Sequence, residues 1–185
     1  MNTLAKTSIA SLFAGALVLA ASPARADSNR DGGFVQGNIL GVSVLTSGLG
    51  VGAGGTAGFP LELSAGYHVS GKQEGFHIGF AQRFTFSSAF FAASTLKMGW
   101  TIPISIKDME LGISPYFWGG PAYGDTDLRA YFGPGLEARF FPIAHGAGKG
   151  FFGTARPFDL GFMPIGSGAG TAIVYTFSVG LGYAF

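Results

Sequence analysis

Only 11% of the 185 residues are charged, against the roughly 25% of soluble domains, while 32 glycines and 19 phenylalanines are in excess, so an ordinary solvated surface is excluded. The absence of cysteine rules out a disulfide scaffold and a lipid anchor on an N-terminal cysteine. A formal net charge of +1 offers no basic field for nucleic acid, and no segment stays apolar over the roughly 20 residues that a membrane-crossing helix needs.

The chain opens with Lys6, an apolar stretch over 9–21, then Ser22, Pro23 and the small-x-small triplet Ala24-Arg25-Ala26. This is the layout of a secretory signal peptide cleaved after Ala26. The predicted division is a signal peptide over 1–26 and one β-domain over 27–185. Removing Lys6 and Arg25 from the eleven basic residues leaves nine against ten acidic ones, a mature net charge of −1.

Alternating runs bounded by turn residues then predict eight strands, near 35–45, 60–70, 75–87, 94–106, 109–119, 128–141, 156–165 and 171–185. The glycine-rich segment 46–59 is the longest predicted loop and 142–155 the other. The run Gly50-Val51-Gly52-Ala53-Gly54-Gly55 fits a G-x-G-x-x-G pattern but leads to Pro60 and a strand. It lacks the helix N-terminus that would bind phosphate, and reads as a loop.

Side chains alternate between the two faces of a strand. In the second strand Leu61, Leu63, Ala65, Tyr67 and Val69 share one side, and in the third Phe76, Ile78, Phe80, Phe84 and Phe86 do. The fourth aligns Leu96, Met98, Trp100, Ile102 and Ile104, and the sixth Leu128, Ala130, Phe132, Leu136 and Phe140. Gln82 alone clearly breaks these apolar faces. Opposite them stand Glu62, His68, His77, Arg83, Lys97, Glu110, Arg129, Glu137, Arg139 and Asp159, among Gly, Ser and Thr. A soluble barrel with a greasy interior would show the same period. Volume decides between the two: about forty bulky apolar groups cannot fit inside an eight-stranded barrel, whose interior holds only a few layers of side chains. The apolar face therefore points outward.

Hairpin arithmetic places inward residues against one another. A tip over 71–74 sets Ser70 opposite Gly75, His68 opposite His77 and Glu62 opposite Arg83; a tip at Lys107-Asp108 sets Ser105 against Glu110 and Lys97 against Trp118. Arg139 is predicted to face Asp159. Charges removed from water must be paired, so these residues predict an ion-pair network that closes the lumen. Two histidines without a third His or Cys make a poor zinc site. Among the aromatics at strand ends, Tyr67, Trp100 and Tyr123 suit an outer interfacial girdle; Trp118 and Tyr131 have the parity of the lumen.

The last strand has the clearest pattern. From Ile173, every odd position is large and apolar (Tyr175, Phe177, Val179, Leu181, Tyr183, Phe185), and the even positions Thr176, Ser178, Gly180, Gly182 and Ala184 are small. This resembles the closing strand of bacterial outer-membrane β-barrels, in which a C-terminal aromatic is read by the assembly machinery. The whole pattern resembles the small barrels of the OmpA-like transmembrane-domain and opacity-like group. The resemblance implies an all-β fold, an eight-stranded antiparallel up-and-down transmembrane barrel, integral to the outer membrane with both termini in the periplasm. It implies Phe177, Val179, Leu181, Tyr183 and Phe185 as the assembly signal. Its implied partners are outer-membrane lipids, lipopolysaccharide and the assembly machinery; the chain is expected to be a monomer without cofactor, metal or catalytic residues. The function expected is structural or surface-interacting, with a narrow small-solute pore as the alternative. A third reading comes from His68-Val69-Ser70, which resembles the His-x-Ser pair of lipid A deacylases. Gly71-Lys72 follows here where that family is Asn-rich, and His68 lies on the polar face.

Overall fold

Each alternating run becomes a strand. The computed structural model describes residues 32–49, 55–87, 90–106, 109–124, 128–142, 150–164 and 170–185. The strands are β1 (Gly33–Leu49), β2 (Gly55–His68), β3 (Gly75–Phe86), β4 (Phe91–Ile106), β5 (Met109–Tyr123), β6 (Leu128–Phe141), β7 (Gly150–Pro164) and β8 (Thr171–Ala184). Neighbours pair antiparallel in chain order, and β1 closes on β8 to complete the barrel. Closure leaves no unpaired sheet edge, which is what a strand-built wall needs where water is absent. The signal peptide predicted over 1–26 lies outside the described residues.

The strands outrun their predicted limits where the sequence is richest in glycine. β1 and β2 take up most of the segment predicted as a loop over 46–59, and β7 begins at Gly150 rather than 156. Ladder bonding along a neighbour holds glycine in a strand despite its poor intrinsic preference. β2 instead ends two residues early. Gly71 (φ 73°) and Gly75 (φ 76°) adopt the left-handed conformation that bends the 69–74 connection, and the Ser70 hydroxyl donates to Glu74 O at 2.6 Å.

Two irregularities change which residues face inward. In β1 the register shifts after Asn38, and Ile39 and Leu40 are both exposed in succession. In β7 it shifts between Arg156 and Leu160, and Pro157 and Phe158 are both exposed. Proline has no N–H for the ladder, which confines it to edges and bulges. The Tyr175 hydroxyl donates to the Pro157 carbonyl at 2.6 Å. Each bulge switches the inward parity of its strand, so Arg156 and Asp159 both point into the lumen.

The barrel is inside-out relative to a soluble one. Every strand exposes large apolar residues, among them Val42, Leu63, Phe80, Trp100, Phe117, Phe132, Phe151 and Leu181, while Glu62, Arg83, Lys97, Glu137, Arg139 and Asp159 are buried. Phe84 keeps the outward parity of Phe80 but is covered by Phe86 and Phe90, whose ring centroids lie 6.4 Å from its own. Gln82 and its ladder partner Ser94 share the outward parity and satisfy each other, with Ser94 Oγ donating to Gln82 Oε1 at 2.7 Å.

Candidate functional site: a charged lumen between two aromatic caps

The predicted hairpin registers hold. Glu62 is opposite Arg83 and His68 opposite His77 across β2 and β3; Lys97 is opposite Trp118 and Ser105 opposite Glu110 across β4 and β5. Register alone does not describe the chemistry, however, because long side chains reach across the lumen to strands far away in the sheet.

Asp159 holds Arg83 through two parallel bonds, Nη1 to Oδ1 and Nη2 to Oδ2, each 3.0 Å, and accepts the Tyr116 hydroxyl at 2.6 Å. Arg83 Nε lies 3.0 Å from Glu62 Oε2, which also receives Arg156 Nη1. Arg156 Nε continues to Glu137 Oε2 at 2.8 Å, and the same oxygen accepts Lys97 Nζ and Gln36 Nε2, each at 2.8 Å. Arg139 Nε donates to the other oxygen, Glu137 Oε1, at 2.8 Å. The result is a continuous chain of alternating charge, Asp159–Arg83–Glu62–Arg156–Glu137, that ends on two cations, Lys97 and Arg139. Bidentate and charge-assisted bonds of this kind are the strong ones, and burial makes each partner's loss costly.

Apolar clusters flank the network at both ends. At the end where Gly33 meets Phe185, the residues Phe34, Phe141, Phe152 and Ala184 form a buried cluster. At the opposite end Trp118, Tyr131, Ala93, Ala122, Met163 and Val174 pack together with Tyr116. Cation–π contacts join charge to cap: the Arg83 guanidinium sits 3.9 Å from the Trp118 ring centroid, and that of Arg139 sits 3.9 Å from the Phe34 ring. Trp118 and Tyr131 therefore fill the lumen as their parity predicts, whereas Tyr67, Trp100 and Tyr123 are exposed on the outer wall.

Inward glycines make room for these large groups. A Cβ at Gly135 would lie 2.3 Å from the Tyr116 ring, one at Gly161 2.3 Å from Tyr131, and one at Gly182 2.2 Å from Phe152. Gly135→Ala is thus expected to displace Tyr116 from Asp159 and cost about 1–3 kcal/mol, as overpacking commonly does. Gly153→Ala, where a Cβ meets nothing within 4 Å, serves as control. Urea unfolding of the two variants should separate them; equal midpoints would refute the steric role of Gly135.

Comparison with known proteins bears on this geometry. No protein-family model and no curated protein matches the chain. Among solved structures, Neisserial surface protein A aligns over 83% of this chain and 97% of its own with a TM-score of 0.56 at 14% identity. The fold is that of the small eight-stranded outer-membrane barrels. Ail, the attachment invasion locus protein of Yersinia pestis, aligns over 84% of this chain and 99% of its own with a TM-score of 0.49 at 15% identity.

Within this barrel the predicted lumen residues divide into groups. Glu62, Arg83, Lys97, Glu137, Arg139 and Asp159 join the connected network. His68 and His77 are fully buried beside it and share Thr101 as a bridge, its hydroxyl 2.9 Å from His68 Nε2 and 3.3 Å from His77 Nδ1. Glu110 and Arg129 lie half-buried near the first residues of β5 and β6. The predicted Arg139–Asp159 pairing is corrected: Arg139 is opposite Thr154 and Asp159 opposite Gly135, because β7 begins at Gly150 rather than 156, which moves the centre of the β6–β7 connection toward the N-terminus, and the bulge adds only one residue of shift. The Glu62–Arg83 contact is real but is one link in a chain rather than an isolated pair.

Alternation does not single out Arg156, Gln36 or Tyr116, which complete the network. Arg156 has the opposite parity to Asp159, so simple alternation assigns it to the outside; Pro157 beside it was the available signal of a parity switch. The His-x-Ser motif does not assemble a dyad. Both His68 ring nitrogens are engaged, with Gly32 O and Thr101, while the Ser70 hydroxyl donates to Lys72 O and Glu74 O in the turn.

Proposed function

We propose that this chain is an integral outer-membrane barrel with a closed lumen, acting as a structural or surface-interacting component of the envelope. The observation that carries the reading is the inversion of polarity: a connected charge network buried between two aromatic caps, inside a wall whose outer face is apolar on every strand. An apolar exterior of this extent needs a hydrocarbon surround, and an interior held by paired charges and aromatic rings leaves solutes no continuous wet path.

The connections at the end away from Gly33 and Phe185 span residues 50–54, 87–90, 124–127 and 165–170. A hairpin loop of six residues reaches at most about 10 Å beyond its strands, so a partner at that end must approach the membrane plane closely. The surrounding outer-membrane lipids and lipopolysaccharide are the partners that fit such a profile. Phe177, Val179, Leu181, Tyr183 and Phe185 we assign to recognition by the assembly machinery. Phe185 also seals the seam: its backbone exchanges two hydrogen bonds with Gly33, at 3.0 and 2.9 Å, and its ring occupies the place of a Gly33 side chain.

Purified barrel in planar bilayers tests the closed lumen. Silent membranes are the expected result, with fractionation placing the protein in the outer membrane. Regular conductance steps in the unmodified protein would instead establish the narrow small-solute pore.

A further inference from the structure

We propose that the terminal half of the lumen holds a binding site for one small monovalent anion, of halide or formate size, at the free edge of Arg139. Three observations converge there. The first is stoichiometry: among the described residues the connected network contains four cations, Arg83, Lys97, Arg139 and Arg156, and three anions, Glu62, Glu137 and Asp159. The alternating chain of charges ends at its terminal side on two cations that share Glu137, so the unbalanced positive charge lies at that end.

The second is an unfilled donor edge. Arg139 is 1% exposed, its Nε is spent on Glu137, and neither Nη1 nor Nη2 has a hydrogen-bond partner. The hydroxyl of Thr154, its ladder partner on β7, is likewise buried without a partner. Buried donors of this kind are costly unless paired, and a guanidinium edge is built to present two N–H groups to one acceptor.

The third is the local shape. The Phe34 ring covers one face of the guanidinium at 3.9 Å and Phe152 lies 5.4 Å from it, which leaves the edge rather than the face available. On the neighbouring strand the ladder partner is Gly112, so no side chain from that position covers Arg139. A singly charged ligand matches the excess of one; a divalent ion would over-neutralise it. The Phe34–Phe141–Phe152 cap and the continuous wall keep a lipid headgroup out, so the ion is a solution ion enclosed as the barrel closes during folding.

The probe is bromide. Protein refolded in detergent with sodium bromide, or with sodium gluconate at equal ionic strength, is followed by urea unfolding, and bromide-grown crystals are examined for anomalous scattering. The expected results are a saturable upward shift of the urea midpoint in bromide and an anomalous peak within hydrogen-bond distance of Arg139 Nη1 or Nη2. Arg139→Met should abolish the bromide response. Should that variant fail to fold, Thr154→Val, which keeps the volume and removes one donor, should raise the half-saturating bromide concentration several-fold. An unchanged bromide response in the variant, or a water in place of the anomalous peak, overturns the proposal.

Discussion

Glu137→Gln is expected to be the most damaging single polar substitution in this protein. Its carboxylate is fully buried and accepts from Lys97, Arg139, Arg156 and Gln36. Neutralising it leaves Lys97 and Arg139 without a carboxylate partner and Arg156 with Glu62 alone, and an uncompensated buried charge commonly costs about 3–5 kcal/mol. Lys97→Met removes one of those cations and balances the remaining charges, so it should cost less. The double variant should then recover part of the loss, with a coupling above about 1 kcal/mol. Urea unfolding of the four proteins measures this directly; strictly additive losses would show that Glu137 is not the hub. A cycle on Glu62 and Arg83, which the hairpin register suggests, would not isolate that pair, because removing both also takes Arg83 from Asp159 and Glu62 from Arg156.

The second large effect lies on the outer wall. Phe80→Arg and Phe132→Arg should each lose about 2–4 kcal/mol if these side chains face hydrocarbon near the midplane, the known range for arginine there. The inward neighbour Ala81 has no exposed surface and tolerates only a near-isosteric change, so Ala81→Ser is the matched control. Gly79 is unsuitable, since a Cβ there would lie 2.6 Å from the Ala65 carbonyl oxygen. The folded fraction recovered in lipid vesicles, read from the heat-modifiable gel mobility of the barrel, should fall for the arginine variants alone. Equal behaviour of Phe80→Arg and Ala81→Ser would contradict the lipid-facing assignment.

The number of strands, the barrel's inverted polarity and the β2–β3 and β4–β5 registers were legible in the sequence. Strand periodicity is local, and a short turn transmits it to the next strand without loss, so Glu62 opposite Arg83 follows from counting residues. The face assignment also needed only side-chain volumes. Where the chain bulges, counting fails: at Ile39–Leu40 and Pro157–Phe158 two consecutive residues face outward, and all parity beyond them inverts. That is why simple alternation does not find Arg156; Arg139 misses Asp159 because the long β6–β7 connection does not fix the register.

What the sequence by itself determined is therefore the two-sided character of each strand, because alternation depends only on near neighbours along the chain. Which charges meet was decided by closure. Once β1 pairs with β8, side chains from strands distant in the sheet point at a common axis, so Arg83 of β3 reaches Asp159 of β7 and Arg156 of β7 reaches Glu62 of β2. No spacing along the chain encodes those distances; they are set by the barrel's diameter, by the bulges that turn Arg156 and Asp159 inward together, and by the glycines that admit Tyr116, Tyr131 and Phe152.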